Sequence, residues 1–348
     1  MSAAETPHGA GARPVEIGIG LQSDQPPGRY AELATLAESV GIDVVSVFSD
    51  LLFQPPIGAL LEMARATERV RLGAAGWNPF TLHPYEIAGQ LALLDATSEG
   101  RAYLGLVKGT WLDAIGVAQP KPVAHLREAA GHIYALLAGD GAGYEGEYFP
   151  LKPGITLRYP VLRARPPLLL GSWGPLGIAL AGRIADELKL GGAANPDLVP
   201  VVRERLRVGT DRVGRSVDDV RIVFGAVTVV DHDGEAARSV ARREVAMYLD
   251  AIAELDPTVD VPAELMAEVR AKLAEHDHEA AGAVVPDDLL DRFCFSGTPA
   301  QVAAQAQRLI DAGVGRVEFG TPQGLRDVAE GVELIGREVV PLLRRERA

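Results

Sequence analysis

The chain repeats one unit: a short apolar run, a loop, and a segment whose apolar residues fall at helical spacing. VEIGIGL, from Val15, opens the series. Tyr30, Leu33, Ala37 and Val40 then share one helical face, and Gly41 stops that helix. The unit returns at 43–48 (DVVSVF) and at 71–77 (RLGAAGW). After the latter a helix is expected to begin on Pro84, because proline suits the first helical position. It returns again at 101–107 (RAYLGLV), in PPLLLGS, in ADELKLGG, in RIVFGAVTVV from Arg221 and in GRVEFG at 315–320. Eight such strands interleaved with helices predict an α/β fold of the parallel (β/α)8 TIM-barrel type. The runs read as apolar throughout, as strands buried on both faces should be. No G-x-G-x-x-G follows the first strand, which disfavours an open dinucleotide-binding sheet.

Two stretches exceed ordinary loop length. Residues 144–165 are rich in Gly, Pro and aromatics, and 231–295 carry charged helical segments. Both are expected as insertions at the C-terminal mouth of a single barrel over 15–348, with 1–14 as a flexible tail.

Among 348 residues, 34 Lys and Arg face 47 Asp and Glu, a net charge of −13. That balance excludes a general nucleic-acid binder or an anionic membrane surface as partner, both of which need a basic face, and leaves a small-molecule substrate. No apolar run approaches the roughly 20 residues that span a bilayer. MSAAETPHGAGARP has no hydrophobic leader core, so a cytoplasmic location is expected. The single cysteine, Cys294, lies in an apolar FCF triplet and reads as core. His276 and His278, in AEHDHEA, have no further ligand cluster beside them, so no metal is expected.

In a barrel the chemistry is built just after the strands. Those positions hold Gln22, Ser23 and Asp24; Ser49 and Asp50; Asn78 and His83 in AAGWNPFTLHP; and Lys108, Gly109, Thr110 and Trp111. Further on they hold GSWGP (171–175), then Lys189, Gly191 and Gly192. In GSWGP, the amides that follow Gly174 and Pro175 at a helix start, with the Ser172 hydroxyl, suit a phosphate; a plain strand-to-helix turn is the other reading. The small residues of AAGWNP let a flat ligand approach the backbone, or else make a tight bend. Asp50 and Lys108 are candidates for proton transfer or substrate orientation, and each can equally be half of a rim salt bridge. His83, just before Pro84, reads as a helix cap.

Five segments, in order, carry a family resemblance. They are IGIGL, ESVGIDVVSV, RVRLGAAGWNPFTLHPYEIAGQLALLDATSEGRAYLGL, GSWGPLGIALAGRIADELKL and FSGTPAQVAAQAQRLIDAGVGRVEFGTPQG. Together they resemble the luciferase-like flavin/deazaflavin oxidoreductases, and among these the branch of the F420-dependent methylenetetrahydromethanopterin reductases. The resemblance implies a barrel whose mouth holds a flavin-like ring, backed by a non-proline cis peptide at Ala75–Gly76. It further implies cofactor contacts from Ser49, Asn78, Gly171, Ser172, Trp173, Gly174, Gly191 and Gly192. The cofactor expected is coenzyme F420, with FMN as the alternative, and relatives are commonly homodimers.

Three departures mark the substrate side. Many relatives carry Asp-His after the second strand, where this chain has Asp50-Leu51; the reductase branch has a Glu near the end of its first strand, where this chain has Gly20; and LVKGTW replaces an acidic glycine-rich segment. The expected activity is an F420-dependent oxidoreductase acting on a small organic molecule other than methylenetetrahydromethanopterin. Asp50 and Lys108 would serve as its polar groups, with Gln22, Asp24 and Trp111 toward the substrate. The alternatives are an FMNH2-dependent monooxygenase, or a barrel that binds without catalysis.

Overall fold

A computed structural model describes residues 13–345, so most of the expected tail lies outside the described residues. Nine parallel strands are present: β1 (Glu16–Leu21), β2 (Val44–Val47), β3 (Arg71–Ala74), β4 (Leu104–Leu106), β5 (Leu168–Gly171), β6 (Glu187–Gly191), β7 (Arg221–Val230), β8 (Cys294–Gly297) and β9 (Arg316–Gly324). The first seven strands lead into α1 (Arg29–Ser39), α2 (Pro56–Ala66), α3 (Pro84–Thr97), α4 (Pro122–Ala138), α5 (Pro175–Ile184), α6 (Leu198–Thr210) and α7 (Gly234–Ile252). Pro56, Pro84, Pro122 and Pro175 each open a helix, where a missing N–H costs no intrahelical bond.

The strand order is β3-β2-β1-β9-β7-β6-β5-β4, and β8 pairs with β7 off this path. The ring closes between β3 and β4 through two bridges, Leu72–Ala102 and Trp77–Leu106. Between them five residue steps on one strand face four on the other, a bulge that contains the Ala75–Gly76 peptide. That peptide is cis, as the resemblance implies.

One strand was not anticipated. The last two residues of FCF open β8, which pairs with Val227–Val230, whereas Arg221–Gly225 of the same strand pair with β6. The ten residues of β7 thus outrun the barrel, and β8 continues the edge that β6 leaves open. Cys294 is buried, as expected. Before it, 231–293 fold into α7 and three shorter helices, Ala263–Ala274, His278–Ala283 and Asp287–Phe293, around an apolar cluster of their own. This module stands at the mouth: Ile252 and Tyr248 pack beside Gly192 at the end of β6. The other insertion leaves α4 at the opposite end of the barrel and runs along the outside. Arg163 reaches Asp95 on α3, and Tyr148 stacks on His125 near the start of α4.

The strands also differ from their expected two-sided apolar character. Ile17, Ile19, Leu188, Leu190, Val317 and Phe319 join the main apolar core. The alternate positions instead fill the barrel's interior with charge. Arg316, Arg71 and Arg221 meet Glu187 and Glu16, with Arg316–Glu187 at 2.9 Å and Arg71–Glu187 at 2.8 Å. Above them Lys189 pairs with Glu318, which also accepts from the Ser46 hydroxyl at 2.7 Å; Ser46 in turn meets Tyr103 at 2.8 Å. Glycines make room for these long side chains. A Cβ on Gly73 would lie 2.6 Å from the Tyr103 ring, and one on Gly18 3.2 Å from Glu318.

Candidate active site

The mouth of the barrel is built from the residues that follow β1–β6. Gln22 extends from β1; its Nε2 donates to Asp50 Oδ2 at 3.2 Å, and its backbone N–H donates to the Thr321 hydroxyl at 3.1 Å. The Gln22 Oε1 atom is buried and has no partner. Asp50 opens to solvent through the mouth while protein atoms crowd its flanks. That desolvation raises its pKa, and the Gln22 hydrogen bond and the Lys189 charge oppose the rise only in part. The cation acting on Asp50 is therefore Lys189. Lys108 is exposed, and among the described residues its side chain has no hydrogen-bond or ion-pair partner.

Replacing Gln22 with Leu should raise the Asp50 pKa further, because the hydrogen bond that favours the carboxylate is lost. A carboxyl titration followed by NMR should show this upward shift, with the resonance absent in Asp50→Asn.

Gly20 sits below, and its missing side chain is explained locally. A Cβ there would lie 2.5 Å from the Phe48 ring and 3.0 Å from Glu318 Oε1. The Lys189 ammonium lies 5.0 Å from the centre of that ring, near enough for a cation–π contact. Lys189 and Glu318 are thus the buried charges nearest the mouth floor. Burial alone would raise the Glu318 pKa, but Lys189, Arg316 and the hydrogen bonds from Lys189 and Ser46 outweigh it and hold it below the usual value. Lys189 stood among the strand-end residues; Glu318, Ser46 and Tyr103 did not.

On the β3 side, Ala75 is partly exposed at the mouth and Asn78 is buried. The Asn78 side-chain oxygen accepts from Thr81 N (2.9 Å), Thr81 Oγ1 (3.0 Å) and Phe80 N (3.2 Å), holding the turn that launches α3. His83 caps that helix as expected, accepting from Tyr85 N. Asp24 faces outward and accepts from the exposed Gln25 amide. Trp111, at φ 58°, is half exposed.

The segment after β5 forms a cradle. Gly174 caps α5, so the N–H groups of Leu176 and Gly177 in its first turn have no intrahelical acceptor. The Ser172 hydroxyl lies against this turn, and a Cβ on Gly177 would stand 2.0 Å from it. A Cβ on Gly174 or on Gly191 would meet no atom within 4 Å, so the cradle is open on its outer side. Trp173 Nε1 donates to Gly191 O at 3.0 Å, tying the β5 and β6 ends together. Arg205 of α6 donates to Trp173 O at 3.3 Å and brings a cation that the sequence reading did not single out. Among the described residues, no polar contact of 171–177 is to a carboxylate, despite the chain's acidic surplus. Ser49, also partly exposed, completes the rim.

The model of the family described as luciferase-like monooxygenase matches residues 9–316. The chain belongs to the luciferase-like monooxygenase family. Within the family it is 30% identical to a 5,10-methylenetetrahydromethanopterin reductase of Archaeoglobus fulgidus, over 91% of this chain and 97% of that one. It is 27% identical to an F420-dependent glucose-6-phosphate dehydrogenase of Microbacterium testaceum, over 96% and 99% of the two chains. The coenzyme F420-dependent tetrahydromethanopterin reductase of Methanopyrus kandleri has a solved structure that superimposes with a TM-score of 0.86 at 27% identity, covering 94% and 99%. Two of these relatives, the glucose-6-phosphate dehydrogenase and the Methanopyrus kandleri reductase, are F420-dependent, and this chain matches all three over nearly all their length.

Proposed function

We propose that this protein is a coenzyme F420-dependent oxidoreductase acting on a small organic substrate. The observation that carries this reading is the cradle after β5. Free amides of α5, the Ser172 hydroxyl and Arg205 converge there in a chain of net charge −13, as a phosphate-bearing cofactor with an acidic tail requires. The family's F420-dependent members support it.

Ser172, Gly174 and Gly177 would hold the phosphate, and Trp173, Gly171, Gly191 and Gly192 would shape the groove. Ser49, Ala75, Gly76 and Asn78 would border the ring, and the unpartnered Gln22 Oε1 offers a buried acceptor there. When bound, the deazaflavin supplies hydride transfer at its C5; the protein supplies position and a proton. Asp50 is the proton-carrying group. Gln22 fixes its Oδ2, and its raised pKa brings it closer to neutral pH than an ordinary aspartate. Lys108 and Asp24 would act at the rim, orienting the substrate. Leu51 follows Asp50 where many relatives have His, and Leu52, Phe53 and Trp111 are exposed on the loops after β2 and β4. That rim favours an uncharged, largely apolar substrate over a pterin. Action in the cytoplasm and assembly as a homodimer complete the proposal, the latter to be checked by sedimentation.

Titrating the protein with F420 and with FMN tests the reading directly. Saturable F420 binding with little for FMN is expected; the reverse would favour an FMNH2-dependent monooxygenase, and no binding of either a non-catalytic role. Gly177→Ala should weaken F420 binding by about tenfold or more, because the added methyl displaces the Ser172 hydroxyl and costs one charge-assisted hydrogen bond of ~1.5–3 kcal/mol. A 5-deazaflavin without a phosphate should be insensitive to this change.

A further inference from the structure

We propose that a second cavity, at the end of the barrel opposite the mouth, binds a small polyanion carrying two or more phosphate or carboxylate groups. The cavity, of about 630 Å3, lies where β5 and β6 begin, between α4, α5 and the 144–165 segment. Four arginines line it: Arg127, Arg165, Arg183 and Arg215. Arg127 contacts Glu128 at 3.2 Å. The other three have no carboxylate partner among the described residues, although acids outnumber bases in the chain. The one acid in the wall, Asp186, already accepts from Leu168 N at 2.8 Å.

Two of these guanidinium groups are held in place without being neutralised. Arg215 donates to the carbonyls of Ala185 (2.9 Å) and Gly182 (3.4 Å) at the end of α5. Arg165 lies 4.6 Å over the Tyr134 ring, whose hydroxyl is itself fixed on Pro166 O at 2.9 Å. The opposite wall is built around Tyr144. Its ring lies flat on α4 only because residue 131 is glycine; a Cβ there would be 2.3 Å from it. A helix-interior glycine is a costly choice, and here it seats the Tyr144 ring that forms this wall. Four arginines around one cavity, two of them held in place, suit a ligand with several anionic groups, since a guanidinium binds phosphate or carboxylate through charge-assisted hydrogen bonds. The volume falls in the range of small-ligand sites and exceeds what one phosphate would fill.

Calorimetric titration of the full chain with sodium pyrophosphate at low salt tests this. Saturable binding is expected, weakened by added salt and by about tenfold or more in Arg165→Ala/Arg183→Ala, both side chains being exposed and removable without opening the core. Arg183→Gln alone should weaken it by a smaller factor, which covers a folding failure of the double variant. Binding should persist in Gly177→Ala and in protein saturated with F420, which separates this site from the mouth. Absence of saturable binding, unchanged affinity in both arginine variants, or displacement by F420 would each overturn the proposal. Inorganic phosphate binding as tightly as pyrophosphate would overturn its polyanion specificity.

Discussion

Replacing Lys189 with methionine should destabilise the fold by about 3–5 kcal/mol, because it strands the Glu318 carboxylate inside the barrel. Both side chains are almost fully buried, at 7% and 1% exposure. The charge that remains near Glu318 is Arg316, 4.0 Å away and already engaged with Glu187. Adding Glu318→Leu should return much of the loss, since an apolar pair of similar volume removes both desolvation costs. Urea denaturation of the two single variants and the double one measures this cycle. A single variant within ~1 kcal/mol of the parent would mean that water reaches the pair.

The same pair sets an acid limit. The folded Glu318 pKa lies below the value of 4.5 that the free side chain has. Its contribution is therefore complete above that pH and is lost as pH falls through the depressed folded value. Glu187 behaves alike, Arg316 and Arg71 outweighing its burial. In Lys189→Met the folded Glu318 pKa rises, so this carboxylate no longer loses stability on acidification, and the stability gap between the variant and the parent should narrow as pH falls.

Gly105→Ala should cost about 3 kcal/mol or more. The new methyl carbon would lie 1.9 Å from the carbonyl oxygen of Ala74. That oxygen belongs to the neighbouring strand's backbone and cannot turn aside as a side-chain tip would. The β3–β4 seam, held by two isolated bridges, must spread to admit it. Because Ala75 and Gly76 border the mouth on this seam, F420 binding should weaken together with stability. A stable variant with normal cofactor affinity would show that the seam yields freely.

The barrel was legible because its signal is local. Strand–helix alternation, helix-opening prolines and stop glycines each act within a few residues, and all eight anticipated strands are present. Strand β8 escaped because only Cys294 and Phe295 of its four residues are apolar and its partner is a continuation of β7 that only the folded chain reveals. The interior charges escaped for a different reason. Read at every second residue, the strands run Glu16-Gly18-Gly20, Arg71-Gly73, Glu187-Lys189-Gly191 and Arg316-Glu318-Gly320, so the alternation was on view. Each charge nevertheless looks like a loop end, because its partner is far along the chain: 55 residues separate Glu16 from Arg71 and 300 separate it from Arg316. At the mouth, Asp50 and the GSWGP cradle were visible as strand ends. That Lys189 rather than Lys108 supplies the charge acting on Asp50, and that Arg205 arrives from α6, depend on how neighbouring units pack.

A barrel filled with ion pairs responds to heat differently from one filled with aliphatic layers. The hydration that charged groups forgo on burial becomes less favourable as temperature rises, so the penalty of keeping Arg316, Glu187, Lys189 and Glu318 dry shrinks on warming. Calorimetry across temperatures should find the interior ion pairs contributing more to stability near the melting point than in the cold. The thermal profile of this protein is thus written partly in the lumen of its barrel, far from the groups that would touch a substrate.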